Sequence, residues 1–402
     1  MGDSLRPPEI NSESDSAVTK VEFPHECESV DDVLVNGVSS LKIPSTISAE
    51  TPEDCTLNTR ASRPQDRIMG NMEPSEIAEI LRQHQVKDVT EELDLATLQN
   101  TRPSTGGGWG NVFRVRMRDG TLVAVKQTRL FTDPEHTVSI RIVKDSAREL
   151  HIWSKCDHPN VMNLIGFADV KGLLAMVSPW MEGGDVSAYI REHPNVDRMK
   201  LCQQVASGLC YFHEKHMVHG DLKAQNALIS LNGQVKLTDL GSSTIKDRSI
   251  TFSATQTELR SLNWAPPELI AAEGEARPNP MSDIYSLGMT ILEIITGEVP
   301  FSGWSSKALL ARLVIAGSAQ PGDIAGPRPK RPICCIPHTE KGDHIWNLLD
   351  GCWHEVSEKR PKATTVRDRL YIAYLDLNEM QVGKHLGDPS NPVCRSAVQA
   401  GA

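Results

Sequence analysis

The segment His219-Gly-Asp-Leu-Lys-Ala-Gln-Asn226 limits what this 402-residue chain can fold into more than any other feature of it. It carries a carboxylate, a lysine and an amide, and a second carboxylate, Asp239, follows Asp221 by eighteen positions, ahead of Gly241. Phosphoryl transfer from ATP needs a group that orients the attacking hydroxyl, a cation for the moving phosphoryl group and oxygen ligands for Mg²⁺. The segment therefore predicts a fold that gathers these side chains around a nucleotide.

Two segments upstream predict the rest of a nucleotide site. Leu122-Val-Ala-Val-Lys126 is an apolar, β-rich run that ends in a lysine, which indicates a strand that presents a cation. Before it, Thr105-Gly-Gly-Gly-Trp-Gly-Asn-Val112 is rich in glycine, and glycines let backbone N–H groups approach phosphates closely. A glycine run this short is more often a hairpin turn, but its place directly before the lysine strand favours a phosphate loop.

These segments resemble the motifs of eukaryotic protein kinases. The 219–226 segment resembles the catalytic loop H-R-D-L-x-x-x-N, with Gly220 in place of arginine. Asp239-Leu-Gly241 resembles the D-F-G magnesium loop, with Leu240 in place of phenylalanine. Neither departure removes the carboxylates or the amide of the pattern.

The glycine-rich segment and the helix that follows the lysine strand fit the same resemblance. In the pattern G-x-G-x-x-G-x-V, Gly107 and Gly110 are the second and third glycines, and Thr105 replaces the first. An amphipathic helical pattern after the strand contains Glu149, which the resemblance makes the carboxylate that pairs with Lys126. The spacing between these two residues predicts a few extra residues between strand and helix.

Three later segments resemble further kinase motifs in the same order. They resemble W-x-A-P-E, D-x-(W/Y)-S-x-G and C-x-x-x-x-P-x-x-R-P, and lie at Trp264–Glu268, Ser282–Gly288 and Cys352–Pro361. The resemblance implies scaffold roles for them: a buried ion pair between Glu268 and Arg360, and hydrogen bonds between Asp283 and the catalytic-loop backbone. Seven motifs in order, over about residues 95–378, argue strongly against a chance match.

The resemblance implies an α+β fold with two lobes, a small β-rich N-lobe with one main helix and a larger, mostly helical C-lobe. We expect the N-lobe at 95–178, the hinge at 179–184 and the C-lobe at 185–378. Together they form one protein kinase domain, 95–378.

The ends of the chain differ from this domain in composition. Residues 1–70 contain one aromatic residue, Phe23, and thirteen acidic against six basic residues, so they carry most of the net charge of −10. Such a stretch buries too little apolar surface to offset its ordering entropy, and we expect it to be disordered. Residues 71–94 are expected to form a short helical extension, because Pro74 to Val86 show helical spacing. Residues 379–402 are expected to be a flexible tail.

The resemblance assigns roles to the residues of the catalytic and magnesium loops. Asp221 orients the substrate hydroxyl, and Lys223 offsets charge near the γ-phosphate. Asn226 and Asp239 are the expected Mg²⁺ ligands. Because the enzyme forms no covalent bond to the phosphoryl group, alignment and electrostatics supply most of the expected rate enhancement.

The resemblance also places the ATP-binding residues. Lys126, held by Glu149, is expected to fix the α- and β-phosphates, with Gly107 and Gly110 in the loop above them. Ser178 takes the gatekeeper position at the back of the adenine pocket, and Pro179 and Met181 supply the hinge carbonyl and N–H for adenine. The apolar residues expected around the adenine are Val112, Ala124 and Leu228.

The acceptor preference rests on two residues. Lys223 and Ser261 match serine/threonine kinases, in which a lysine and a hydroxyl accompany the catalytic aspartate. Other segments, including Trp264 and Cys352-Trp353, resemble the tyrosine-kinase-like group, and most closely its fungal members. We therefore expect a serine/threonine kinase of that group, with dual specificity left open.

Gly220 removes the arginine that pairs with a phosphate on the activation loop, so we expect little dependence on loop phosphorylation.

Composition argues against several other classes of protein. The chain has no lysine–arginine block, which disfavours a nucleic-acid partner, and no run of eighteen apolar residues, which disfavours a membrane span. The nine cysteines form no disulfide pattern, and no oligomerisation motif is evident. We expect a cytoplasmic protein, with nuclear access left open, whose partners are ATP, Mg²⁺ and a protein substrate.

A pseudokinase that binds nucleotide as a scaffold is the alternative function. The departures that favour it are Thr105, Gly220, Leu240 and Pro266.

Overall fold

The computed structural model describes residues 66–68, 72–94, 103, 105–107, 110–128, 146–170, 172–245, 250–252, 261–271, 277–319 and 326–381. The chain divides into two units, Met1–Ser62 and Arg63–Ala402, and every described residue belongs to the second. The predictions for most of residues 1–70, for 382–402 and for the link between Lys126 and Glu149 lie outside the described residues.

Strands form a five-stranded sheet and several two-stranded ladders. They are β1 (Asp66–Ile68), β2 (Thr105–Gly107), β3 (Gly110–Arg116), β4 (Leu122–Thr128), β5 (Gly166–Val170), β6 (Leu173–Pro179), β7 (Met217–Val218), β8 (Ala227–Ile229), β9 (Val235–Leu237), β10 (Thr244–Ile245) and β11 (Ile250–Phe252). The large sheet is antiparallel with the order β2-β3-β4-β6-β5. The smaller ladders are β8-β9, β10-β7 and β1-β11.

The two faces of the large sheet have different neighbours because successive side chains point to opposite faces. One face is a small apolar core that includes Val115, Val123, Val125, Ala175 and Val177. This core also takes in Val89 and Leu93 from the segment before the sheet, so that segment packs on the sheet. The opposite face carries Lys126 and looks toward the C-lobe.

One helix precedes the large sheet, one lies between β4 and β5, and the others form a mostly helical second lobe. The helices are α1 (Pro74–Gln83), α2 (described over 146–153), α3 (Val186–Glu192), α4 (Arg198–Glu214), α5 (Pro267–Ala271), α6 (Pro280–Thr296), α7 (Ser306–Ser318), α8 (Glu340–Cys352) and α9 (Ala363–Gln381). Short 3₁₀ turns lie at Thr90–Glu92, Ala224–Asn226, Leu240–Ser242 and Ser357–Lys359. The sheet and the helices give the α+β, two-lobed architecture that the sequence predicts.

The central helix of the C-lobe, α6, has clear start and stop signals. The Asn279 side chain accepts hydrogen bonds from the N–H groups of Met281 and Ser282, and Pro280 occupies the first turn, where its missing N–H costs nothing. The helix ends at Gly297, which has a positive φ of 79°. Twelve of its seventeen residues are buried, so α6 runs through the core of the C-lobe.

The segment before the sheet contains both a predicted and an unpredicted element. Helix α1 lies within the stretch 71–94, where the sequence predicts a helix. Asp66–Ile68 form strand β1 although they lie in the stretch 1–70 for which the sequence predicts disorder. The strand forms because it pairs with β11 and because Ile68 is buried; composition alone reveals neither contact.

The described residues also show where the two lobes are linked. Strand β6 ends at Pro179 and α3 begins at Val186, so the link between the lobes overlaps the predicted hinge at 179–184. None of the described helices is both long enough and apolar enough to cross a membrane.

Candidate active site

Lys126 lies between two carboxylates from different parts of the chain. Its Nζ is 2.8 Å from Glu149 Oε1 on α2 and 2.8 Å from Asp239 Oδ1. Burial opposes the charge of the lysine, but the carboxylates, Asp239 foremost, outweigh it and raise the pKa of Lys126. The predicted pairing of Lys126 with Glu149 is present in the structure, and the lysine is held as a cation.

Three polar side chains of the segment 219–226 meet one another and Ser261. Asn226 Nδ2 donates to the Asp221 backbone oxygen at 2.7 Å and to Asp221 Oδ2 at 3.0 Å. Lys223 Nζ donates to the same Oδ2 at 3.0 Å and to Ser261 Oγ at 2.7 Å. Asp221 and Asn226 are buried. The carboxylate of Asp221 therefore has a fixed orientation, and Lys223 links it to Ser261.

Backbone conformation sets the direction of two residues in the site. Asp239 has φ 64° and ψ 68°, a left-handed backbone conformation that residues other than glycine rarely adopt. In this conformation the Asp239 carboxylate meets Lys126. Gly220 has φ 81°, and glycine adopts such an angle without the steric cost that arginine would bear. The departure at Gly220 thus removes a cation and also relieves backbone strain.

The residues expected around the nucleotide share one face of the sheet. Val112 lies opposite Lys126 in the β3–β4 register, and Ala124 lies opposite Ser178 in the β4–β6 register. Since directly paired residues point the same way and residues two apart share a face, these four side chains point to the same side. Ser178 is buried. The sheet thus presents a cation at one end of this face and small or apolar side chains beside it.

The remaining expected nucleotide contacts lie at the borders of this face. Gly107 pairs with Gly110 in the β2–β3 hairpin, next to the strand of Lys126. Pro179 ends β6 and pairs with Val123, and the carbonyl of Met181 accepts a hydrogen bond from Gly184 N–H at 3.2 Å. The contact expected from the C-lobe is Leu228, on β8, where it is half-buried. Together with the shared face, these positions outline a cleft between the lobes.

Asp283 holds the backbone just before Asp221. Its carboxylate accepts hydrogen bonds from His219 N–H at 2.8 Å and from Gly220 N–H at 2.9 Å. His213 Nε2 lies 3.0 Å from the same carboxylate. The bonds to the loop backbone are those that the sequence analysis expected, whereas the His213 contact was not expected. A buried carboxylate on α6 therefore fixes the turn in which Gly220 lies.

A second buried carboxylate, Glu293, also positions the loop, although no motif of the sequence predicts this role. Glu293 Oε2 accepts from Ala224 N–H at 3.0 Å and from Trp264 Nε1–H at 2.9 Å. Burial raises the pKa of Glu293 to about 7. The available signal was a single acidic residue within the apolar run Ile291-Leu-Glu-Ile-Ile295, because a charge there needs a partner.

The expected scaffold ion pair is present as a two-pronged contact. Arg360 Nη1 lies 2.6 Å from Glu268 Oε1, and Arg360 Nη2 lies 3.0 Å from Glu268 Oε2. The Arg360 side chain is fully buried, while that of Glu268 is 34% exposed. The pair joins the start of α5, just after Trp264, to the segment that precedes α9.

Comparison with known proteins agrees with this arrangement. The family described as "Protein kinase domain" matches residues 105–372. A probable serine/threonine-protein kinase of Dictyostelium discoideum is 28% identical over 69% of this chain and 28% of its own length. Mitogen-activated protein kinase kinase kinase 5 of Arabidopsis thaliana is 31% identical over 52% of this chain and 30% of its own length. A tyrosine-protein kinase transforming protein of an avian sarcoma virus is 26% identical over 66% of this chain and 46% of its own length.

The chain belongs to the protein kinase family. The match covers most of the described sheet and helices, and the similar proteins confirm the resemblance to eukaryotic kinases of the tyrosine-kinase-like type. The chain spans less than half the length of each of the three relatives named above.

Proposed function

We propose that this chain is an ATP-dependent protein serine/threonine kinase, which transfers the γ-phosphoryl group of Mg-ATP to a protein hydroxyl in intracellular signalling. The observation that carries the proposal is the network around Asp221, whose carboxylate is oriented by Asn226 and Lys223. That network lies in the same cleft as the paired Lys126. An oriented carboxylate beside two held cations supports phosphoryl transfer.

The residues of the site suit the bond changes of this reaction. The substrate hydroxyl oxygen bonds to the γ-phosphorus, the bond from that phosphorus to the β–γ bridging oxygen breaks, and ADP leaves. Asp221 orients the hydroxyl and accepts its proton. Lys223 offsets negative charge on the phosphoryl group in transfer, and Lys126 holds the other phosphates. The held position of Lys126 matters because a loose lysine would lose part of the alignment on which the rate depends.

The site also offers suitable oxygen ligands for Mg²⁺. Asn226 uses its amide nitrogen for both bonds to Asp221, so its amide oxygen is directed away from that residue. Asp239 contributes a carboxylate within reach of Lys126. Such a set fits Mg²⁺, which binds one or two protein oxygens and completes its shell with water and phosphate oxygens. When bound, the ion neutralises phosphate charge.

The preference for serine and threonine is proposed from Lys223 and Ser261. Both residues match the pattern of serine/threonine kinases, and Lys223 Nζ donates to Ser261 Oγ at 2.7 Å. Two of the similar proteins carry names that say serine/threonine or mitogen-activated kinase, whereas one is named a tyrosine kinase. The acceptor class therefore needs direct measurement. The cytoplasmic location, with nuclear access open, stays a prediction.

The test is Mg²⁺-dependent transfer from labelled ATP to a generic basic protein, followed by phosphoamino-acid analysis. Wild type is compared with Lys126→Met and Asp239→Asn, each of which removes one charged group from the site. We expect label on serine or threonine with wild type and none with either variant. Label on tyrosine alone would overturn the acceptor class, and transfer that survives both substitutions would overturn the site. No transfer, despite a nucleotide-induced rise in Tm, would indicate the pseudokinase alternative.

A further inference from the structure

Helix α2, which carries Glu149, is buried around almost its whole circumference. Successive residues of a helix turn by 100°, so Glu149 and His151 point to nearly opposite sides. Glu149 meets Lys126, yet His151 is only 1% exposed and Ala147, also on the far side, is fully buried. The sheet and the catalytic cleft account for one side of α2. The far side must be covered by another part of the chain.

The segment before the sheet covers that far side. The ring of His84, at the end of α1, meets the ring of His151 edge-on, with 5.8 Å between the ring centres. Ile77 and Leu81 of α1 are at most 1% exposed and belong to the same continuous core as Leu150 of α2. Helix α1 therefore packs where α2 would otherwise face solvent.

The same segment is fastened to the sheet. Phe167 N–H donates to the Lys87 carbonyl at 2.8 Å, and Val89 N–H donates to the Phe167 carbonyl at 2.8 Å. A Cβ at Gly166 would lie 2.2 Å from the Lys87 carbonyl oxygen, so this close approach requires glycine. Arg82 pairs with Asp88 through two nitrogens, at 2.8 and 3.1 Å. The end of α1 is thus fixed relative to β5.

The segment also reaches the activation loop after Asp239. Strand β1 pairs in parallel with β11, with Ile68 opposite Phe252. Ile68 is fully buried and belongs to the core that contains α1 and α2. Gly220 supplies no cation that could bind a phosphate on this loop. Backbone pairing with β1 gives the loop a different partner, which needs no phosphate.

We propose that residues 66–68 and 72–94, the N-terminal brace, are a positioning element that holds α2 so that Glu149 stays paired with Lys126. The inference rests on the proposed function, because its consequence is measured as phosphoryl transfer. The brace touches no reacting atom and acts through Glu149. It packs against the far side of α2, is hydrogen-bonded to β5, and pairs through β1 with β11 of the activation loop.

The test compares two full-length variants, each of which replaces one buried leucine with alanine. Leu81→Ala removes a buried leucine of the brace, and Leu370→Ala removes a fully buried leucine of α9, which packs on α4 in the C-lobe. Hydrogen–deuterium exchange is measured at the amides of 146–153, and kcat/KM is measured well below the Tm of each variant. We expect Leu81→Ala to speed exchange in 146–153 and to lower kcat/KM about tenfold, whereas Leu370→Ala lowers the Tm with little change in either.

Two further comparisons separate positioning from general destabilisation. In a Glu149→Gln background, Leu81→Ala should change kcat/KM by less than about twofold, because the group through which the brace acts is already lost. His84→Ala should weaken activity, and His84→Phe should restore it by keeping a ring against His151. The second pair guards against failed folding of the leucine variant.

The outcomes decide the two proposals separately. Unchanged exchange in 146–153 in both Leu81→Ala and His84→Ala would overturn the brace, whatever the activity. Equal effects of Leu81→Ala with and without Glu149 would also overturn it. If wild type transfers no phosphate, the proposed function fails, and the exchange measurement still decides whether the brace holds α2.

Discussion

At the scale of the residue, the hydroxyl of Ser261 holds Lys223 beside Asp221. The hydroxyl accepts from Lys223 Nζ at 2.7 Å. We predict that Ser261→Ala lowers kcat about three- to tenfold with little change in the KM for ATP, because a lysine with one acceptor fewer is less well placed. Steady-state kinetics checks this. Ser261→Thr keeps the hydroxyl and serves as the control.

Equal losses in the alanine and threonine variants would mean that the hydroxyl is not what matters at position 261. An increase in the KM for ATP with unchanged kcat would place Ser261 in nucleotide binding instead.

Glu293 predicts a pH dependence of stability. Its folded-state pKa of about 7 lies above the ordinary value of 4.5, so the folded state binds more protons than the unfolded state between these values. The stability from protonated Glu293 is present below about pH 4.5 and is lost as the pH rises through 7. Glu293→Gln should therefore resemble wild type at pH 5 and be more stable at pH 8, by on the order of 2 kcal/mol.

Denaturant unfolding at both pH values checks this prediction. Glu298→Gln changes an exposed carboxylate just after the same helix and is the matched control. Its difference in stability from wild type should be small and equal at the two pH values. A Glu293→Gln variant that is less stable than wild type at pH 8 would contradict the assignment.

At the scale of the element, the Glu268–Arg360 pair joins α5 to the end of the C-lobe. Glu268→Ala would leave the fully buried Arg360 without its carboxylate. We predict a loss of about 2–3 kcal/mol in the free energy of unfolding, below the cost in a fully buried pair because Glu268 is a third exposed. Denaturant unfolding measures it.

The control is Asp368→Ala, which breaks an exposed ion pair with Arg367. It should cost less than about 0.5 kcal/mol. If the two variants cost the same, burial of Arg360 does not set the value of the pair.

The activation loop gives a second prediction at this scale. Because Gly220 offers no cation to a loop phosphate, we expect phosphatase treatment to change kcat less than about twofold. Transfer rates before and after treatment, with mass spectrometry to verify removal of phosphate, measure this. A large loss of activity on treatment would show that another cation of the chain orders the phosphorylated loop.

At the scale of the whole molecule, the sequence predicts the parts of the site that lie in ordered motifs. The assigned roles require Lys126, Glu149 and Asp239 to meet, and these three residues do meet. The same holds for the ion pair between Glu268 and Arg360. Each of these residues has a fixed place in a pattern of neighbouring residue types, so local sequence is enough to find it.

The rest depends on long-range packing, which a single sequence does not display. In the sequence, Glu293 resembles an ordinary charged residue on a helix surface. Only the fold brings the N–H groups of Ala224 and Trp264 to its carboxylate. Ile68 lies in a polar, acidic stretch, and its burial depends on a core formed by residues far along the chain. The sequence predicts helix α1, but not that α1 would cover the far side of α2.

The central claim is that this cleft binds Mg-ATP and transfers its phosphoryl group, and Asp221→Asn tests it most directly. The variant leaves Lys126, Asn226 and Asp239 in place, so it should still bind nucleotide. We predict that Mg-ATP raises the Tm of both proteins equally, while the transfer rate of the variant falls at least about a hundredfold. Equal transfer by the two proteins, or a rise in Tm with no transfer by wild type, would contradict the account.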